Sequence, residues 1–420
     1  MEKVEFRKDF LFGVATASTQ IEGQDKGNMW YEWTKDGNKT KDGSTSLRAN
    51  NHWEDYRKHI ELMEKMGFEV YRMSIEWSRI EPQEGAFSDE AIEHYIDEIK
   101  LLKEKNIEPL VTLHHFSNPI WFEKLGGFKR KDAYLYFSRY TDFVTRKLKG
   151  LVRDFCTINE PNIYAIGCFL YGEWLNEEKS FSTCMKVLRN MTRCHIEAYK
   201  IIHNIIADAK VGIALNMNNF IPKRKNNIFD KMRTNFFDRC FNKMMAYSMG
   251  WGKYILPLGV KIKSGDYFDY FGINYYTSNL VSKDGLSVDS SWPQNDLGWG
   301  ITPFGFDKII NKVHKMFPDK EIYITENGTC DKDDKFRAKY LYDHLEVLSK
   351  YDYVKRYYHW TFMDNFEWKE GESACFGLVK FNYDDFSYQV RPSGEFYSEI
   401  IKKHYMDKEM LNKYTGEAND

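Results

Sequence analysis

The chain has 420 residues, with 60 Lys+Arg against 62 Asp+Glu and 16% aromatic residues, so no net field draws nucleic acid or an anionic membrane and a neutral small molecule is the expected partner. Seven cysteines without CxxC or Cys/His spacing argue against a disulfide framework or a metal site and point to reduced thiols in the cytoplasm, with no cofactor expected. The N-terminus lacks an apolar signal core and no apolar run approaches about 20 residues, which argues against secretion and a membrane span.

In chain order, a strand is expected over 11–15, a helix over 53–66, strands over 70–75 and 109–113 separated by a helix over 90–105, and a helix over 134–148 before a strand over 155–159. A helix over 184–206, strands over 211–215, 270–274 and 322–325, a helix over 335–349 and a strand over 354–360 follow. The strands are near-continuous apolar runs and the helices repeat apolar residues at helical spacing. This alternation predicts an α/β fold, a single (β/α)8 barrel over 1–420 with its site at the C-terminal ends of the strands. An open doubly wound sheet is disfavoured because no GxGxxG follows the first strand. The basic run 222–225 reads as a solvated loop.

Two of the apolar runs end in a carboxylate, at Glu160 and Glu326. A buried unpaired acid costs several kcal/mol, on the order of the penalty for any isolated charge in an apolar setting, so a pair of them marks a place where protons or covalent bonds are exchanged. The same rim gathers Gln20, Glu22, Arg72, His114, His115, Asn159, Asn274, Tyr276, Trp360, Glu367 and Trp368. Amides, imidazoles and carboxylates divide donor and acceptor duties among sugar hydroxyls, and indoles offer a stacking floor.

Six segments carry a family likeness: 10–23, 71–80, Thr157-Ile158-Asn159-Glu160-Pro161, Gly272-Ile273-Asn274-Tyr275-Tyr276, Ile324-Thr325-Glu326-Asn327-Gly328 and 360–368. In this order the chain resembles glycoside hydrolase family 1, the β-glucosidase and β-galactosidase family, as a short member. The resemblance implies a retaining hydrolase of terminal β-D-glycosides or oligosaccharides, with Glu160 as general acid/base and Glu326 as nucleophile. Arg72, Asn274 and Tyr276 would support the nucleophile, and Gln20, His115, Asn159, Trp360, Glu367 and Trp368 would hold the sugar. At the roughly 5.5 Å separation of retaining carboxylates, an effective dielectric near 20 gives about 3 kcal/mol of repulsion, about two pKa units, enough to hold one proton on Glu160 while Arg72 keeps Glu326 ionised.

Phospho-sugar members place a serine, lysine and tyrosine where this chain has Glu367-Trp368, so an unphosphorylated O-glycoside is expected and Lys369 reads as a surface charge. After Gly172 the family's His-Ala-Pro-Gly is replaced by 173–178, and 220–261 is compact. Phe116, Trp174, Phe181, Trp299 and 216–220 are candidates for the aglycone side, and a hydrophobic aglycone is expected. The alternatives are a 6-phospho-β-glycosidase, a non-catalytic sugar-binding barrel, and a metal-dependent hydrolase. The last is weakened because adjacent His114 and His115 on a strand point to opposite faces. The choice among glucose, galactose and fucose, and the oligomeric state, are not set by these motifs.

Overall fold

The computed structural model describes residues 3–259 and 264–416; the two ends of the expected span 1–420, and Lys261 at the close of the compact stretch, lie outside the described residues. Eight parallel strands close on themselves: β1 (Leu11–Ala15), β2 (Val70–Ser74), β3 (Glu108–His114), β4 (Asp154–Asn159), β5 (Lys210–Asn216), β6 (Tyr270–Tyr275), β7 (Glu321–Asn327) and β8 (Val354–Trp360). Each strand pairs with its neighbour in sequence, and β8 closes onto β1 with Trp360 opposite Ala15. Five strands run beyond their apolar core by one to three residues, because the ladder continues into the polar tips, while β2 stops one residue early at Ser74.

Among the helices are α1 (His52–Met66), α2 (Asp89–Glu104), α3 (Ala133–Leu148), α4 (Phe181–Ile205), α5 (Ile228–Asp238), α6 (Met244–Trp251), α7 (Pro303–Met316), α8 (Arg337–Leu348) and α9 (Pro392–Lys403). Side chains of Ser88, Ser180 and Asn227 accept from the first-turn amides of α2, α4 and α5, satisfying donors that have no partner inside a helix. The five expected helices are α1 to α4 and α8. Of the other four, α6 is apolar nearly all round its circumference and so shows no helical period, whereas α5, α7 and α9 are amphipathic yet lie outside the expected set, α5 with its apolar residues turned outward.

A barrel strand packs side chains on both faces, so β2, β4 and β6 are buried along their whole length. The strand ends must also approach closely where the site is built. At Gly328, just beyond β7, an added Cβ would sit 1.7 Å from the carbonyl oxygen of Trp360, so only glycine lets the ends of β7 and β8 come together. A short sheet of Asn219–Pro222, Ser278–Ser282 and Gly285–Ser287 stands on the rim above β5 and β6.

Candidate active site

The C-terminal rim surrounds a cavity of about 390 Å³, lined among others by His115, Asn159, Glu160, Tyr276, Glu326, Trp360, Glu367 and Trp368. That volume suits a sugar ring with part of its leaving group. Beneath the lining lies a fixed hydrogen-bond network. Arg72 of β2, fully buried, donates from Nη1 to Glu326 Oε1 at 2.6 Å and from Nη2 to Asn159 Oδ1 at 2.6 Å. The Tyr276 hydroxyl donates to Glu326 Oε2 at 2.6 Å. Each oxygen of Glu326 therefore has its own strong donor, one of them cationic.

Glu160 is held differently. Its Oε1 accepts from Asn274 Nδ2 at 2.9 Å and from Asn216 Nδ2 at 3.0 Å, both neutral amides. Its φ of 40° lies in a region side chains rarely adopt, at the sharp turn from β4 into the helix Pro161–Ala165. Asn274 also bonds Asn159 and touches Glu326, and its Oδ1 accepts from the Thr325 hydroxyl at 2.5 Å, which fixes which end of the amide faces the acids. Asn216 was expected on the aglycone side, not as a partner of Glu160. No motif marks it, but an amide closing a barrel strand beside an acid-bearing strand is the signal that finds it.

Burial sets the electrostatics. It pushes Glu160 up to about 8, with the charge of Glu326 as the second cause and the two amides opposing. Repulsion was the expected cause, and in the folded chain desolvation outweighs it. Glu326 is raised by the same burial, but Arg72, Tyr276 and Asn274 all pull it back. Only Glu326 touches a cation, so a proton shared by the pair resides on Glu160.

The remaining expected residues fall into two layers. His115 Nε2 accepts from Asn159 Nδ2 at 3.0 Å, so Nδ1 bears the hydrogen. Burial and Arg72 hold the ring neutral, well below its usual range, so its 3.9 Å approach to Glu326 is not an ion pair. His115 stacks near Trp360 and Trp368, with centroids at 5.7 and 5.9 Å. Gln20 lies behind the lining, donating to the Phe366 carbonyl at 2.8 Å and to Glu367 Oε2 at 3.1 Å. Among the described residues Gln20 Oε1 and His115 Nδ1 are buried with no partner, the first behind the cavity lining and the second on a residue that forms it.

Other expectations are corrected. Glu22 points away from the cavity, into a buried pair with Arg79 at 2.7 Å and a bond from Tyr95. Glu367 lines the cavity as expected, and burial pushes it up to about 8. Lys369 is not a free surface charge: it lines the mouth and pairs with Glu173 at 3.5 Å. Phe181 lies exposed at the start of α4 and does not line the cavity, whereas Phe116, Trp174, Trp299 and 216–218 do. Phe241, Leu297, Ile163 and Phe376 also line it without any sequence motif to announce them. His114 turns to Asn118 at 2.9 Å while His115 turns to Asn159, and among the described residues no group of His, Cys, Asp or Glu could hold a metal.

The profile of Glycosyl hydrolase family 1 matches residues 2–406. A 1,4-beta-D-glucan glucohydrolase of Thermotoga neapolitana is 30% identical over 438 aligned positions, covering 95% of this chain and 99% of that protein. The solved beta-glycosidase from Pyrococcus horikoshii is 34% identical with a TM-score of 0.92, covering 99% of each chain. The Beta-glucosidase from Thermotoga maritima in complex with glucoimidazole is 29% identical with a TM-score of 0.89, covering 96% of this chain and 99% of that one. With a profile spanning the barrel from end to end and relatives of matching length, the chain belongs to glycosyl hydrolase family 1.

Proposed function

We propose that this protein is a retaining β-glycosidase that hydrolyses terminal, unphosphorylated β-D-glucosides, with Glu326 as nucleophile and Glu160 as acid/base. The observation that carries the assignment is the unequal wiring of the two acids: a guanidinium and a phenol on Glu326, two neutral amides on Glu160. Ionised Glu326 attacks the anomeric carbon while protonated Glu160 gives its proton to the departing oxygen. Once Glu326 is an ester its charge is gone, Glu160 becomes more acidic, and it takes a proton from the water that releases the sugar. Two inversions at one carbon retain the β configuration.

The sugar is held by the remaining groups. Asn159, oriented by Arg72 and Asn274, faces the hydroxyl beside the reacting carbon, where bonds strengthen in the transition state. Glu367 already accepts at Oε2 from Gln20 and, at 3.4 Å, from Trp360 Nε1, leaving Oε1 for the hydroxyls at the far end of the ring. Trp174, Phe241, Leu297 and Trp299 on the outer cavity wall support an aryl or alkyl aglycone. The described span is read as one domain. Seven unpaired thiols support a cytosolic location, and among the described residues no helix is long and apolar enough to cross a membrane.

A panel of nitrophenyl, alkyl and oligosaccharide β-glycosides, followed by proton NMR, tests the reading. The first product formed is expected to be the β-anomer of glucose, and the 6-phosphorylated glucoside is expected to be left intact. Appearance of the α-anomer first, or preference for the phosphorylated sugar, overturns it. The pH profile gives a second check. Because Glu160 must carry its proton and is raised to about 8, kcat/KM should hold through neutral pH and fall on the alkaline side near that value. An alkaline limb that begins near pH 5 removes Glu160 as the acid.

A further inference from the structure

α5 inverts the arrangement of an ordinary surface helix. The side chains it buries are the acids Asp230 and Asp238, while Ile228, Phe229, Met232 and Phe236 are 61, 63, 60 and 61% exposed. At about 100° per residue these four fall within one arc of about 100°, with Lys231 on one flank and Arg233 on the other. Leu256, 65% exposed, adds to the patch, its carbonyl accepting from Arg239 Nε at 3.1 Å. Scattered apolar residues are normal on a surface, but a contiguous rimmed patch marks an interaction site.

The charge around the patch is one-sided. From Lys223 to Lys243 the chain carries seven Lys or Arg against Asp230 and Asp238. Those two acids are consumed internally, Asp230 by Arg224 at 2.8 Å and Arg233 at 3.7 Å, Asp238 by Lys243 at 3.0 Å and by Lys312. Lys223, Lys225, Lys231 and Arg239 have no carboxylate partner among the described residues. An apolar arc between unpaired cations matches a bilayer, with acyl chains below and phosphate headgroups at its edge.

We propose that α5 docks peripherally on an anionic lipid bilayer, its four apolar side chains entering the acyl boundary and the flanking cations meeting lipid phosphates. The even charge of the whole chain does not oppose this, because at physiological salt a membrane senses charges within a Debye length of about 8 Å. A second copy of this chain is the poorer occupant, since it would press two basic rims together. The same β5–β6 connection supplies Met217, Asn218 and Phe241 to the cavity wall, so docking fixes that side of the mouth relative to the membrane. This proposal does not depend on which glycoside is hydrolysed.

Sedimentation of the full chain with vesicles decides it. The protein is expected to pellet with mixed phosphatidylglycerol and phosphatidylcholine vesicles, to remain in solution with phosphatidylcholine alone, and to be released by added salt. The double substitution Phe229→Ser and Phe236→Ser should weaken binding about tenfold or more. Lys223→Ala or Lys231→Ala should each weaken it about fivefold. Turnover of a soluble nitrophenyl glucoside should be unchanged in all of them, which shows that they fold. The proposal is overturned if the wild type does not pellet, if pelleting survives the phenylalanine substitutions, or if the wild type elutes as a dimer that those substitutions dissociate.

Discussion

Glu326→Ala is expected to lower kcat by about 100,000-fold, equivalent to ~7 kcal/mol of transition-state stabilisation, while leaving the protein able to bind glucoside. The size follows from the proposed chemistry: without the carboxylate no covalent intermediate forms, and water has no base on the correct face. The substitution also leaves Arg72 buried without its counter-ion, where Asn159, the Thr325 carbonyl and Thr112 remain as neutral partners. Stripping one partner from a buried pair costs about 3–5 kcal/mol of stability, so a lowered Tm is expected alongside. Azide addresses both losses, since it is an anion small enough for the vacated space and a nucleophile. It should restore turnover of an activated aryl glucoside and yield the α-glycosyl azide, the product of a single inversion. Unchanged activity in Glu326→Ala, or rescue giving the β-azide, would falsify the assignment.

Glu160→Ala should behave in the opposite way on both counts. The loss depends on the leaving group: about 1,000-fold for an alkyl glucoside, which needs a proton on its departing oxygen, and far less for the first step with a dinitrophenyl glucoside, which does not. With the activated substrate a burst of phenol should appear, followed by a slow steady state, because the glycosyl-enzyme now lacks the base that activates water. Azide needs no base, so it should speed that second step and give the β-glycosyl azide. Little stability should be lost, since Glu160 contacts amides and no cation. The alkaline limb of the pH profile should also vanish. Equal losses on alkyl and dinitrophenyl glucosides would assign Glu160 a structural place in the wall.

Much of the site was legible before folding because its residues sit at the ends of apolar runs. Glu160 directly follows the buried strand Asp154–Asn159, and Glu326 lies near the end of Glu321–Asn327, so a parallel barrel has to bring both to one rim. The alternation of strand and helix carried the architecture for the same reason, since burial on two faces writes continuous apolar segments that need no knowledge of partners. Glu22 was misplaced because its neighbours in sequence resemble a site motif, whereas the partners that claim it, Arg79 and Tyr95, lie 57 and 73 positions away.

By itself the sequence determined the eightfold repeat, the two acids at strand ends and the family motifs, all properties of local order along one chain. Only the tertiary structure decided that Arg72 reaches Glu326 across 254 positions, that Asn216 joins Asn274 on Glu160, and that Phe241 enters the cavity wall. It also decided which force dominates the protonation, since burial raises both acids and contact with a guanidinium and a phenol pulls Glu326 alone back. Desolvation and Coulomb interaction depend on distances between residues remote in sequence, and those distances exist only once the barrel has closed.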